Sequence, residues 1–275
     1  MHTIWLIPAL FVYALAAAGF VAGRLGATGW PARAAVPLLA AGATLQSIDL
    51  LVRGVQAGNI PVTDFAQSLI FLAWLTALLA LYLIVSFGMP VVGAFAGPLV
   101  FLAVAIAAVM ARPGRIVMPD ALRSAWLPVH VTLALLGYAL FVLAAGVSVV
   151  YLVYEKRLKA KRPLDAGDAR APSLEKLDRV NYQLLGIGFL MLSMAIVTGA
   201  IWADATWGHY WSWEPQETWS LAIWILYAAL LESRLAAGWR GRRAAALTIA
   251  VFTVLVGSFV GVSLIAPGKH GGNFG

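Results

Sequence analysis

The residues of this 275-residue chain best suited to chemistry are its four histidines, at positions 2, 130, 209 and 270. Cysteine is absent, which excludes disulfides, thiolate metal sites and thiol chemistry of the chain's own. No Ser-His-Asp arrangement, phosphate-cradling glycine loop or His-Glu-x-x-His spacing is evident. Taken singly, an imidazole at the edge of an apolar segment is a polar cap. Two imidazoles from separate helices could instead hold a metal from opposite faces. His209 sits in the most unusual stretch of the chain, WGHYWSWEPQETW, 207–219, where four tryptophans, a tyrosine and two glutamates surround it.

Six of the eleven tryptophans, 202, 207, 211, 213, 219 and 224, fall within 23 residues. Interfacial belts of Trp and Tyr explain Trp5, Trp30, Trp126 and Trp239. They explain this density poorly. A shelf for a large, flat, apolar ligand fits it better, because aromatic faces stabilise such a ligand by dispersion and burial. A porphyrin is such a ligand, and paired axial imidazoles are one way to hold haem iron. Arg112, Arg115, Arg123 and Lys269 are available on the same side to pair with its propionates. His209 reads as a bystander or a donor beside the ligands rather than as a ligand.

The elements that position these residues must sit in lipid. The chain is 62% hydrophobic and only 11% charged, more apolar surface than a soluble domain of this size could hide. Its apolar runs are continuous over about 20 residues, which predicts helical spans rather than barrel strands. The fold class is therefore all-α, one polytopic integral membrane domain over 1–275. Eight spans are predicted, at about 3–23, 33–55, 64–86, 90–110, 126–154, 181–203, 217–235 and 244–266. The first run lacks a charged n-region and reads as a retained span.

Net charge is +7, and topology explains it better than nucleic acid does. Fourteen of the nineteen Lys and Arg fall in the loops around 24–33, 155–180 and 234–243. That bias places those loops in the cytoplasm and both termini outside. His130, His209 and His270 then all lie on the outward side, while His2 is too close to the terminus to carry weight. The segment 155–180 reads as a basic cytoplasmic loop that ends in an amphipathic stretch, SLEKLDRV. Gly93-x-x-x-Gly97 and Gly257-x-x-x-Gly261 offer small faces for helix packing. Asp49 and Arg53 suit a local i, i+4 ion pair. Glu232 reads as snorkelling or paired with Arg234. Glu214 and Glu217, flanking Pro215, suit the start of the seventh helix.

WADATWGHYWSWEPQETWSLAIW resembles the tryptophan-rich WWD signature of haem-handling membrane proteins, and most closely the CcsA/ResC type of cytochrome c assembly protein. NIPVTDFAQSLIFLAW, the stretch from His130 to YLVYEKRLK, LDRVNYQLLGIGF, GWRGRRAA and APGKHG extend the resemblance over about 53–271, with 202–219 as the outward haem-binding segment. It implies His130 and His270 as the axial ligands of an outward-facing haem b, carried as cargo. It implies Trp207, Tyr210, Trp211, Trp213 and Trp219 along the plane and edge of that haem.

The resemblance also implies system II cytochrome c maturation in a bacterial cytoplasmic membrane. The expected partners are a ResB/CcsB-type membrane protein, an apocytochrome c bearing C-x-x-C-H, and a thiol-reducing thioredoxin-like protein. Haem-lyase activity would then arise only together with the membrane partner. The chain departs from the family pattern at Glu214 for Asp, Gln216 for Lys, Gln67 for Glu, and Glu232 for a histidine near the inner end of the seventh span. A HemX-like tetrapyrrole-regulating protein without ligation activity and a structural subunit of a respiratory complex remain alternative readings.

Overall fold

The computed structural model describes residues 5–26, 29–62, 64–110, 124–161 and 172–265. Eight α-helices run through them: α1 Leu6–Arg24, α2 Trp30–Ala57, α3 Phe65–Phe87, α4 Gly93–Met110, α5 Trp126–Lys159, α6 Leu174–Trp207, α7 Pro215–Leu235 and α8 Arg242–Ile265. Seven of them, all but α7, are long and apolar enough to cross a membrane. The chain is a multi-pass membrane protein. At 21 residues, α7 is long enough, since a helix rises about 1.5 Å per residue. Its polar residues gather at both ends, Gln216, Glu217 and Thr218 at one and Glu232, Ser233 and Arg234 at the other, and these lower its apolar content.

One helix starts earlier than its hydropathy suggests. The sequence places the sixth span from 181, but α6 begins at Leu174. Ser173 caps it by accepting a bond from the Lys176 N–H at 3.2 Å, and Glu175 pairs with Arg179 at 3.0 Å one turn on. A polar helical turn that continues a membrane span is invisible to hydropathy.

The first four helices pack together, α1 against α2 and α4, and α3 against the same two. Buried Tyr13 of α1 donates to Gln46 of α2 at 2.6 Å, and Gln46 passes the bond to the Ile70 carbonyl of α3 at 2.8 Å. Gly93 and Gly97 of α4 receive the ring of Phe20, the close packing their spacing suggests. Gly257 and Gly261 of α8 differ from that expectation: nothing described lies where their side chains would be. Asp49 and Arg53 form the expected ion pair at 2.6 Å.

The second four helices are built on α5 and α6, an antiparallel pair of 34 residues each. Phe259 of α8 meets Tyr138 of α5 at 5.8 Å and Phe65 of α3 at 5.3 Å between ring centroids. Phe141 of α5 stacks on Tyr227 of α7 at 3.6 Å. The Phe259 contacts bring the start of α3, the first part of α5 and the latter part of α8 toward one end of the bundle, and the antiparallel pairing of α6 with α5 brings the end of α6 there too. The basic segments gather at the other, where Lys176 donates to the Phe87 carbonyl at 2.6 Å and Arg24 to Tyr154 at 3.2 Å.

Candidate functional site

His130 stands in the second turn of α5, and the end of α6 fixes its ring. Its Nδ1 lies 2.7 Å from the Ala195 carbonyl. A carbonyl only accepts, so Nδ1 carries a proton in this contact. That is how a metal-binding histidine is oriented by the groups around it. Trp202, one of the most deeply buried large side chains at 1% exposure, lies parallel to the imidazole, 10° between planes and 6.3 Å between centroids. Gly199 leaves the space: a Cβ there would fall 2.7 Å from both Nδ1 and Cε1 of His130.

From Trp202 the aromatic contacts continue outward. Trp207, the last residue of α6, meets Trp202 edge-on at 4.9 Å. His209 lies over Trp207 at 6.5 Å, 27° from parallel. The four rings His130, Trp202, Trp207 and His209 thus form one continuous series. Gly208 takes the left-handed conformation (φ 76°) that ends α6 and turns the chain into the loop.

Glu217 holds the loop that follows. It occupies the N3 position of α7, with Glu214 as N-cap and Pro215 in the first turn, and the two glutamates form a reciprocal capping box. The Glu217 carboxylate also accepts from the Ser212 N–H at 2.7 Å and from the Ser212 hydroxyl at 3.2 Å. The Trp213 carbonyl accepts from the Thr218 hydroxyl at 3.2 Å. Between these anchors Trp213 adopts φ 59°, a left-handed conformation costly for a bulky residue. Trp211 meets Trp213 edge-on at 5.8 Å. Tyr210, Trp213 and Trp219 stand 61%, 69% and 46% exposed. Two polar atoms of the loop, Nδ1 of His209 and Nε1 of Trp211, are shut away from solvent without a hydrogen-bond partner among the described residues.

The structure therefore brings His130 and Trp207 together and puts Trp211 and Trp213 in contact on the same loop, with Tyr210 and Trp219 exposed around them. His270 lies outside the described residues, as do Arg112, Arg115, Arg123 and Lys269. Sequence reasoning missed Gly199 and the deep role of Trp202. The signal for both was a glycine three residues before a tryptophan at the outer end of a span. It also read Glu217 as a dipole partner, whereas Glu217 clamps the loop. Trp224 belongs to packing: its Nε1 donates to Ser193 at 2.8 Å and fastens α7 to α6.

At the opposite end Arg234 does not pair with Glu232. It is buried, donating to the Asp178 carboxylate at 2.9 Å and to Asn181 at 3.1 Å, with its guanidinium 5.1 Å above the Tyr182 ring. Asn181 in turn donates to Ser148 at 2.9 Å and to the Ala144 carbonyl at 3.0 Å. Glu232 is exposed.

Residues 62–270 match the family model described as Cytochrome C assembly protein. The chain is 34% identical over 257 residues to the cytochrome c biogenesis protein CcsA of Synechococcus sp. (strain CC9605), covering 85% of this chain and 84% of that one. It is 32% identical over 259 residues to the cytochrome c biogenesis protein CcsA of Chlorella vulgaris, covering 83% and 82%. Among solved structures, Cytochrome c Heme Lyase CcmF superposes with a TM-score of 0.63 over 94% of this chain, at 20% identity. That likeness is one of fold, and this chain spans 46% of the length of that one.

Proposed function

The chain belongs to the cytochrome c assembly protein family, whose place is in cytochrome c maturation, and from that premise we propose that it presents haem b at the outer face of the cytoplasmic membrane for attachment to an apocytochrome c. The observation that carries this reading is the fixed His130 ring, its Nδ1 bonded to the Ala195 carbonyl, at the head of an aromatic series. Haem is the substrate here. His130 and His270 would hold its iron from two sides, and Trp207, Tyr210, Trp211, Trp213 and Trp219 would lie along its plane and edge. The region 202–219 is then the outward haem-binding segment, and the basic segment 155–180, which runs from the end of α5 into the start of α6, faces the cytoplasm. The fit has chemical support: the loop combines apolar faces for the macrocycle with two buried polar atoms that have no partner among the described residues.

The residues of this chain bind, orient and exclude water; bonds are made elsewhere. Bound haem supplies two vinyl groups that the two thiols of an acceptor C-x-x-C-H convert to thioethers. A chain without cysteine leaves both thiols to the acceptor. The activity therefore needs further proteins: a ResB/CcsB-type membrane partner and a thioredoxin-like reductant that keeps the acceptor thiols reduced. The excess of Lys and Arg in the opposite loops supports the outward orientation.

An absorption spectrum of the purified protein, oxidised and dithionite-reduced, with a pyridine haemochrome count, tests the reading. We expect about one haem per chain with sharp reduced α and β bands, as six-coordinate bis-imidazole haem gives. His130→Gly and His270→Gly should each leave five-coordinate haem that added imidazole restores. Unchanged spectra in both variants would remove the ligand assignment. A haem-sensing protein would share these spectra but transfer nothing when supplied with partner and reduced apocytochrome.

A further inference from the structure

His209 and Trp211 lie two residues apart in the loop joining α6 to α7. Each ring is partly buried, and each hides a polar atom, Nδ1 and Nε1, that has no partner among the described residues. A sealed, unpaired polar group costs as much as a lost hydrogen bond, so a loop that carries two of them is completed by something else. The chemistry of the two atoms narrows what that is. An indole Nε1–H only donates, so the missing partner of Trp211 is an acceptor. An imidazole Nδ1 donates in one of its tautomers and can serve the same acceptor.

The position narrows it further. The His209 ring lies nearly parallel over Trp207. Its nitrogens therefore lie in a plane close to that of the Trp207 ring, with Nδ1 shut away from solvent. A flat ligand seated against these rings would have to bring a polar edge group in to meet it. The loop supplies no cation of its own: no Lys or Arg occurs between 207 and 219. Its carboxylate at Glu217 is already occupied by Ser212 and by the Glu214 N–H at 3.3 Å.

We propose that His209 and Trp211 form a two-donor site for a carboxylate of the molecule seated on the aromatic surface. This rests on the haem reading above, under which the carboxylate is a haem propionate. A carboxylate has two acceptor oxygens, one for each donor, and its charge makes each bond stronger than a neutral pair would be. The two are positioning residues: they set how the macrocycle is turned in its own plane, and so which edge is left open to the acceptor protein.

The experiment titrates the full-length protein in detergent with ferric haem and, separately, with haem dimethyl ester, whose propionates are capped. His209→Leu and Trp211→Phe keep bulk and remove the donors; His209→Gln restores an N–H. Each donor-deleting variant should bind haem about tenfold more weakly while binding the diester as the unaltered protein does, and His209→Gln should recover most of the loss. Equal weakening toward both ligands would make these residues packing elements and overturn the proposal. Loss of the low-spin spectrum in His209→Leu with both ligands would make His209 an iron ligand and also overturn it. Unchanged affinity for both ligands would do the same and assign the donors to another acceptor, such as a peptide carbonyl of the partner. If the unaltered protein binds neither ligand, the haem reading itself fails, an outcome distinct from all of these.

Discussion

Arg234 and His209 are polar residues that lie near opposite ends of the same helical unit, and their surroundings contrast. Arg234 is buried with its charge met by Asp178, two further bonds made to Asn181 and the Asp178 carbonyl, and Asn181 met by Ser148 and Ala144. Gly241, at φ 62°, turns its N–H toward the second Asp178 oxygen at 2.9 Å. His209 and Trp211 sit in a loop with buried polar atoms unmet, a tryptophan in a left-handed conformation and three aromatic rings exposed. A closed polar network holds helices together. An open one, pinned from below by Glu217, holds a place for something to arrive. The Arg234 end is read as stability, the His209 end as function.

The contrast is broken most strongly at Arg234. Arg234→Met removes one partner of a buried pair and leaves Asp178 uncompensated, which should cost about 3–5 kcal/mol. Thermal unfolding in detergent would show it, with haem lost only as the fold is lost. Adding Asp178→Asn should recover part of the stability, because Asn still accepts from Gly241. A stable Arg234→Met protein lacking haem would reverse the assignment and make the Arg234 end a binding site.

Gly199→Ala attacks the His209 end alone. The new methyl falls 2.7 Å from the His130 ring, which must leave the Ala195 carbonyl. Haem affinity should drop by roughly 10- to 100-fold, the usual effect of losing the group that orients a metal ligand. Stability should fall by about 1–3 kcal/mol, the usual cost of overpacking, offset in part because alanine favours the helix. A Soret titration beside a melting curve separates the two. An unmoved titration would mean that the ring contact with Ala195 does not set the site.

How far these features could be read from sequence follows from their range. Spans were legible because lipid demands long apolar runs, and the bias of Lys and Arg toward one set of loops was legible as the gathering of basic segments at one end of the bundle. The capping glutamates were legible because capping is local: Glu214, Pro215 and Glu217 lie within four residues. The Arg234 network was not, because its partner Asp178 is 56 residues away and Glu232 offered a nearer one. The Gly257/Gly261 face was misread for the opposite reason. Its spacing permits close packing, but only another helix can supply it, and nothing described packs there. The start of α6 was hidden by polar residues that obey helical capping rather than membrane hydropathy.

Glu217→Ala comes next in size. It removes the acceptor for Ser212 and the reciprocal half of the capping box, a loss of about 1–2 kcal/mol. The loss should be local: faster hydrogen exchange at Ser212 and Glu214, and reduced haem occupancy, with the amides of α5 unchanged. Glu217→Gln keeps one acceptor oxygen and should lose less. Exchange spreading into α5 would show that the loop braces the bundle instead of resting on it.

The smallest effect belongs to Trp213. Its left-handed backbone costs about 1–2 kcal/mol for a residue with a side chain, and glycine adopts it without that cost. Trp213→Gly regains this strain and loses the ring contact with Trp211 together with some chain entropy. These terms oppose one another, so the melting temperature should stay close to that of the unaltered protein. A tryptophan kept 69% exposed in a strained conformation is poorly explained by packing. Haem occupancy should therefore fall even where stability does not. A large drop in melting temperature would show that the Trp213 ring supports the loop, and would move it from the functional side of the contrast to the structural one.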